Sequence, residues 1–234
     1  MGGAGDDILE GVAPGFFEFN SLVGGVGDDT YVLRVQGADS IIETSGTLEG
    51  VDTVVTSFSY WLTGQDSIES LTLASGPYGY DQAWDATGNE YDNVLRGNNA
   101  HNVLNGGAGF DILIGNGGDD FYVVHDAVDI LIEEAGGGFD TVFAYVDYIL
   151  PAYIEELEMT YGSAVAGTGN ELDNLITGNT YNNILRGGAG NDQLLDRGVT
   201  SNDQLDGGEG EDSLSGGGGN DTYRVDNAGD VVIE

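Results

Sequence analysis

The chain has 234 residues, of which 41 are Asp or Glu and only 5 are Lys or Arg, giving a formal net charge of −36; another 41 are Gly and none is Cys. That balance excludes a nucleic-acid binder built on a basic groove and disfavours docking on anionic membranes. The missing cysteines exclude a disulfide framework and thiolate metal sites, and no apolar run is long enough to span a bilayer. The N-terminal MGGAGDDILE has neither the basic nor the apolar region of a secretory signal. Such acidity invites a reading of disorder. The 40 % of hydrophobic residues, with 12 Tyr and 8 Phe, argue against it, because they supply a core once the charge is neutralised.

In chain order, the dominant signal is a nine-residue repeat, G-G-x-G-x-D-x-U-x, where U is a large apolar residue. Intact copies start at Gly2 (GGAGDDILE), Gly24 (GGVGDDTYV), Gly106 (GGAGFDILI), Gly187 (GGAGNDQLL), Gly207 (GGEGEDSLS) and Gly216 (GGGGNDTYR), and a copy with Asn at its second place starts at Gly115 (GNGGDDFYV). Weaker copies of form G-N-x-x-x-N-x-U-x start at Gly88, Gly97, Gly169 and Gly178. The copies at 88, 97, 106 and 115 abut, as do those at 169, 178 and 187, and an eleven-residue step, DRGVTSNDQLD, precedes Gly207. A longer period lies above this one. DDTYVL at Asp28 is matched by DDFYVV at Asp119 and NDTYRV at Asn220, and the D-x-x-x-E strings ending at Glu43, Glu133 and Glu234 match one another. The expected organisation is therefore one elongated array over 1–234. Its nonapeptide blocks are 2–32, 88–124 and 169–224, its wider-coil segments 33–87 and 125–168, with small separate β-domains inserted between rolls as the alternative for those segments, and 225–234 is a third unit cut short, as in a piece of a longer array.

Each nonapeptide divides into a six-residue turn and a three-residue strand. Gly, Asp and Asn dominate the turn, and these residues tolerate left-handed backbone angles. The strand carries Leu9, Tyr31, Leu104, Leu113, Tyr122, Leu194, Leu214 or Tyr223 at its centre. A strand that short is stable only if copies stack, so that the central side chains form an inner ladder and the flanking ones face outward. Stacking at about 4.8 Å also lines up the sixth-position carboxylates, whose repulsion calls for counter-ions. Carboxylate and carbonyl oxygens favour hard divalent cations. Calcium, with six to eight ligands in flexible geometry, suits a carbonyl-rich turn better than octahedral magnesium.

The nonapeptide resembles the calcium-binding repeat of RTX (repeats-in-toxin) proteins. The resemblance implies an all-β fold, a right-handed parallel β-roll or β-helix solenoid with two nonapeptides per coil, stabilised by Ca²⁺ shared between turns n and n+2. Carried over to this sequence, the side-chain ligands are Asp7, Asp29, Asp111, Asp120, Asp192, Asp212 and Asp221, with Asp203 from the relaxed step. The carbonyl ligands are Gly2, Ala4, Gly24, Val26, Gly106, Ala108, Gly115, Gly117, Gly187, Ala189, Gly207, Glu209, Gly216 and Gly218. Asn93, Asn102, Asn174 and Asn183 stand where Asp is expected, which predicts weak or vacant sites or a polar interior that needs no metal. Asp52 and Asp140, each two residues after a Gly and before Thr-Val, echo the same turn with a weaker claim.

Catalysis finds little support. The chain has no Cys or Lys and no G-x-S-x-G elbow, and His101 and His125 read as surface residues. A pair such as Glu155-Glu156 means little in so acidic a chain. Tyr60, Trp61, Tyr78, Tyr80 and Trp84 either stack on sugars or cover a core edge. Residues such as Ile8, Val94, Val103, Ile112, Phe121, Leu175 and Ile184 either form an outer ridge for a partner or express β-propensity alone.

The expected function is a non-enzymatic, calcium-binding structural module, secreted or at the cell surface, that folds on calcium after export and belongs to a larger RTX protein. The resemblance implies type I secretion. The rival readings are an accessory module of a secreted protease, lipase or polysaccharide-modifying enzyme, and a calcium-dependent glycan binder. Expected partners are calcium ions, with self-association, head-to-tail assembly or a polysaccharide beside them, and neither nucleic acid nor an inserted membrane.

Overall fold

The structure, a computed structural model, describes residues 1–11, 20–34, 39–43, 50–62, 68–75, 84–160 and 164–234. Among them every regular element is a strand, and no helix is long and apolar enough to cross a membrane. They divide into two units, Met1–Gly118 with Val128–Ile130 and Asp119–Ala127 with Leu131–Glu234.

In the first unit, strands Ile8–Glu10, Thr30–Leu33, Thr53–Thr56, Ser70–Leu73, Val94–Arg96 and Ile112–Ile114 pair in parallel in that order. Their register places Leu9, Tyr31, Val54, Leu71, Leu95 and Leu113 side by side, and all six are buried. A second parallel sheet joins Tyr60–Trp61, Asp85–Thr87 and Val103–Asn105. Two-stranded pairs join Gly3–Ala4 to Gly25–Val26 and Asn20–Val23 to Asp39–Ile42.

The second unit repeats the plan. Phe121–Val124, Thr141–Ala144, Glu156–Met159, Leu175–Thr177, Gln193–Leu195, Ser213–Ser215 and Val231–Ile233 form one parallel sheet. Its inner ladder runs Tyr122, Val142, Leu157, Ile176, Leu194, Leu214, Val232, and only the last is exposed. The other sheet joins Tyr148–Ile149, Ala166–Thr168, Ile184–Ala189, Gln204–Glu209 and Thr222–Arg224.

Each unit is thus a parallel β-solenoid in which successive strands alternate between sheets. A three-residue strand contributes one inward side chain, worth about 1.5–3 kcal/mol if fully buried, too little to stand alone. Parallel neighbours above and below make a continuous core from such single contributions. The flanking positions face outward, with Ile8 79 % exposed and Phe121 38 % exposed. Coil length varies where the sequence period varies. The sixth-position partners Asn93 and Asp111 are 18 residues apart, Asp192 and Asp212 are 20 apart, and Asp29 and Asp52 are 23 apart. The wider segments take their places in the same ladders, Thr53–Thr56 and Ser70–Leu73 lying between Thr30–Leu33 and Val94–Arg96.

Candidate metal centres

The first glycine of each nonapeptide and its sixth residue meet inside the turn. A Cβ built on Gly187 would collide with Asp192 Oδ2 and with the Gly207 carbonyl oxygen of the next turn in its row. The same collision recurs at Gly106 with Asp111, at Gly207 with Asp212 and at Gly2 with Asp7. In these turns the first position therefore has to be glycine, because the space its side chain would take is bounded by oxygens. Gly188, at φ +116°, also needs glycine for its left-handed backbone.

The rows follow the stacking of turns. Gly3 pairs with Gly25, Gly188 with Gly208, the Gly88 N–H bonds the Asn105 carbonyl, and the Gly97 N–H bonds the Ile114 carbonyl. In the second unit the turns at Gly169, Gly187 and Gly207 form one row, and those at Gly178, Asp196 and Gly216 the other. The carbonyl oxygens of Gly24, Gly106, Gly115, Gly187 and Gly207 lie against the first glycine of the preceding turn in the row. The carbonyls of Gly24, Val26 and Glu209 also accept hydrogen bonds from the N–H groups of Gly3, Gly5 and Gly190, leaving each its second lone pair. Gly2, Ala4, Ala108, Gly117, Ala189, Gly216 and Gly218 sit in the turns themselves; the N–H groups of Ala108, Gly117, Ala189 and Gly218 bond the Asn89, Asn98, Asn170 and Gly198 carbonyls across coils.

The sixth-position carboxylates divide their two oxygens between two tasks. Oδ1 accepts the backbone N–H of the sixth residue one coil earlier. Asp29 takes that of Asp7 at 2.8 Å, Asp111 that of Asn93 at 2.8 Å, Asp192 that of Asn174 at 2.8 Å, Asp212 that of Asp192 at 2.9 Å, Asp203 that of Asn183 at 2.7 Å, and Asp221 that of Asp203 at 2.9 Å. The other oxygen stays inside the turn. Oδ2 of Asp29, Asp140, Asp192, Asp203, Asp212 and Asp221 is buried and accepts no hydrogen bond. A buried anionic oxygen without a donor is costly, and here several recur in register. Asp192, Asp203 and Asp212 are each at most 2 % exposed. These oxygens, the converging carbonyls and the absence of nitrogen or sulfur donors make a set that fits calcium.

Protonation reflects the same strain. Burial pushes Asp52, Asp140 and Asp192 up to about 7, helped by neighbouring carboxylates and opposed by a backbone N–H bond, and it pushes Asp196 up to about 6. In the cation-free fold these acids hold protons more tightly than in the unfolded chain. Their contribution to its stability is present at pH below their ordinary value of 3.8 and is lost as pH rises through about 7. Calcium needs the deprotonated acids, so binding near pH 6 is expected to release protons and apparent affinity to be weaker at about pH 5.5 than at about pH 8. Calorimetric titration in buffers of different ionisation enthalpy measures both; an affinity independent of pH would contradict it.

The asparagine turns solve the same packing problem without charge. Oδ1 of Asn93, Asn102, Asn174 and Asn183 accepts an N–H of its own turn, from Asn89, Asn98, Asn170 and Asn179, at 2.7–2.8 Å. The amide Nδ2 donates to carbonyls of the preceding coil. Asn174 reaches those of Ile154 at 3.0 Å and Glu155 at 3.2 Å, and Asn170 reaches those of Pro151 and Ile154, both at 2.7 Å. The amide thus serves carbonyls that a cation would otherwise draw. Asn174→Asp is expected to replace this donor by a charge facing two carbonyls and to destabilise the fold by about 2–4 kcal/mol, read as a lower thermal midpoint at fixed calcium. An unchanged midpoint would sink this account of the asparagine turns.

Several contributors escaped the sequence reading. Glu69 and Glu155 accept the N–H groups of Asp52 and Asp140, and Asp129 and Asp230 accept those of Asp111 and Asp212. Asp196, in the relaxed step, stands at the place of a first glycine and turns Oδ1 toward Gly178. A second ladder runs along the fifth position in the opposite sense. Asp6 accepts from Asp28, Asp92 from Phe110, Asp173 from Asn191, and Asn191 from Glu211, at 2.7–3.1 Å. The frequency of Asp and Asn at that position was its signal. Two carboxylate trios, Asp29 with Glu43 and Asp52, and Asp120 with Glu133 and Asp140, each bring one oxygen per residue within 4.8 Å of the others. Tyr122 donates its hydroxyl to Glu133 Oε1, and burial with that bond keeps the phenol protonated.

Of the aromatics considered for sugar stacking, Trp61 and Trp84 are exposed, Tyr60 is half-buried with Phe58 edge-on to it, and Tyr78 and Tyr80 lie outside the described residues. His101 is exposed, and His125 stacks on Tyr145 at 4.5 Å between ring centres.

Comparison with known proteins follows the same lines. A stretch of 57 residues is 40 % identical to the endo-1,3-1,4-beta-glycanase ExsH of Rhizobium meliloti (strain 1021), covering 24 % of this chain and 12 % of that protein. The chain thus matches about an eighth of the length of this curated relative. The family model for the RTX calcium-binding nonapeptide repeat matches four times, over residues 1–12, 87–123, 168–195 and 197–232. These stretches contain the glycine turns at Gly2, Gly106, Gly187, Gly207 and Gly216 with Asp192, Asp203, Asp212 and Asp221, while the turn at Gly24 with Asp29, and Asp140, lie outside them, and the chain belongs to the RTX calcium-binding nonapeptide repeat family.

Proposed function

We propose that this chain is a non-catalytic folding module of a larger exported protein, switched from an expanded to a solenoid state by calcium outside the cell. The observation that carries the reading is the row of buried carboxylate oxygens with no hydrogen-bond donor, repeated turn after turn. Without cations, those charges and the net −36 oppose compaction. Extracellular calcium modules bind at about 10⁻⁴–10⁻³ M, well above cytosolic calcium, so the concentration step across the envelope sets the state. An expanded chain suits passage through a type I secretion channel, and the folded one suits a spacer or assembly element of a surface layer, adhesin or matrix.

Small-angle scattering across a calcium series tests this. In chelator the radius of gyration is expected near the unfolded value for this length, about 50 Å, with a fall at millimolar calcium that equal magnesium does not reproduce. A compact particle in chelator would contradict the proposal. The shared stretch with a glycanase favours a second reading, in which the module supports a polysaccharide-acting domain elsewhere in the same protein. Exposed Trp61 and Trp84 would then offer sugar-stacking faces. Glycan binding by this chain, lost in Trp61→Ala and Trp84→Ala, would support that reading; no binding to β-glucans would oppose a sugar contact.

A further inference from the structure

Two glycine turns, those at Gly24 and Gly115, differ from the rest. Elsewhere one side chain meets backbone carbonyls, whereas here the sixth-position Asp29 or Asp120 is joined by two acidic side chains from other segments. Asp29 ends a turn and Glu43 follows the strand Asp39–Ile42, while Asp52 precedes the strand Thr53–Thr56; Asp120, Glu133 and Asp140 hold the matching places in the second unit. The ligand oxygens of each trio lie within 4.8 Å of one another. Asp29, Asp52, Asp120 and Asp140 are at most 1 % exposed, and Glu133 is 8 % exposed.

A phenol points to the same place. Tyr31 is fully buried, and its hydroxyl has no hydrogen-bond partner. That hydroxyl, Asp29 Oδ2 and Glu43 Oε1 all border the space a Cβ on Gly24 would fill. Glu43 is held there by its other oxygen, which accepts the Gly25 N–H at 3.3 Å. Asp140 Oδ2 is likewise buried and accepts no hydrogen bond, while its Oδ1 takes the Asp120 N–H at 2.8 Å. Tyrosine occupies the strand centre at 31 and 122, where neighbouring repeats carry leucine.

We infer that each trio, joined in the first by the Tyr31 hydroxyl, is a second class of cation site, taking a hard divalent ion through side chains and pinning the wider coil to the nonapeptide block. The inference rests on the reading of the chain as a calcium-binding module and gives two of its turns a site of different composition. All-oxygen donors exclude a preference for soft or nitrogen-seeking metals. Three carboxylates instead of one make these sites tighter than the other glycine turns, because ligand charge count tunes affinity. They fill first as calcium rises, so the wider coils order before the arrays.

Terbium, a hard trivalent stand-in for calcium that tyrosine excitation sensitises, reads these sites directly. Tyr223, whose hydroxyl accepts the Gly216 N–H at 3.0 Å, is replaced by Phe in every protein to silence the turn at Asp221. Emission is then expected to saturate at one ion per trio. Tyr31→Phe with Tyr122→Phe should abolish sensitised emission. Glu43→Gln with Glu133→Gln should raise the half-saturating terbium concentration about 10–100-fold. Emission insensitive to the glutamate and tyrosine changes, in a protein that still compacts with calcium, overturns the trio sites alone. A protein that neither compacts with calcium nor binds terbium overturns the module reading as well.

Discussion

Each tenfold rise in free calcium above the site affinities is expected to add about 1.4 kcal/mol of unfolding free energy per bound ion, because the ions bind the folded state and not the expanded one. The four carboxylates Asp192, Asp203, Asp212 and Asp221 lie in one unit, each with an inward oxygen that accepts no hydrogen bond. With one ion at each, stability changes by about 6 kcal/mol per decade of calcium. That is comparable with the whole stability of an ordinary domain, about 5–15 kcal/mol. Chelation is therefore expected to abolish the cooperative thermal transition rather than shift it by a few degrees. Urea unfolding at several buffered calcium levels measures the slope; a slope near zero would mean that no ion is taken up on folding.

The second large effect is at Asp192. Asp192→Ala removes two things, the acceptor for the Asn174 N–H and the inward oxygen. The orphaned N–H costs about 1–3 kcal/mol. Losing one site costs a further 1–2 kcal/mol or so at a calcium concentration several times Kd. Asp192→Asn keeps an acceptor for the Asn174 N–H and loses the charge. It is expected to lie between wild type and Asp192→Ala in millimolar calcium and to lose most of its deficit as calcium is lowered. Denaturant unfolding of the three proteins at two calcium levels separates the terms. Equal deficits at both levels would assign Asp192 to hydrogen bonding alone.

Much of this fold was legible because one short rule is written many times. Leu9, Tyr31, Leu113, Tyr122, Leu194 and Leu214 were readable as an inner ladder from their place in the nonapeptide, and they are buried in register. The pairing of a first glycine with a sixth-position acid was equally readable as a motif. What the motif could not give was the division of labour within one carboxylate, since Oδ1 and Oδ2 differ only in what stacks above them. The roles of Glu43, Glu69, Glu133 and Glu155 were hidden for a related reason. They sit in coils of irregular length, where the partner of Asp52 is 17 residues away and that of Asp140 is 15 away, so no fixed spacing marks them. Asp196 was obscured because the relaxed eleven-residue step begins with an acid where the other turns begin with glycine.

The asparagine turns show how charge is graded along the array. Asn93 and Asn174 sit within continuous rows, after Asp29, Asp52 and Glu69 in one and Asp120, Asp140 and Glu155 in the other, and directly before the carboxylates Asp111 and Asp192. Their amides serve carbonyls of the preceding coil that would otherwise face a charge. A neutral turn at this place interrupts the like-charge stacking between the wider coils and the carboxylate turns that follow.

The most direct test is a crystal grown in calcium, with anomalous scattering used to locate the ions. The account requires ions beside the inward oxygens of Asp192, Asp203 and Asp212, bridging to the turn carbonyls, and none at Asn174. A well-ordered solenoid whose carboxylate turns hold no ion at millimolar calcium would contradict it.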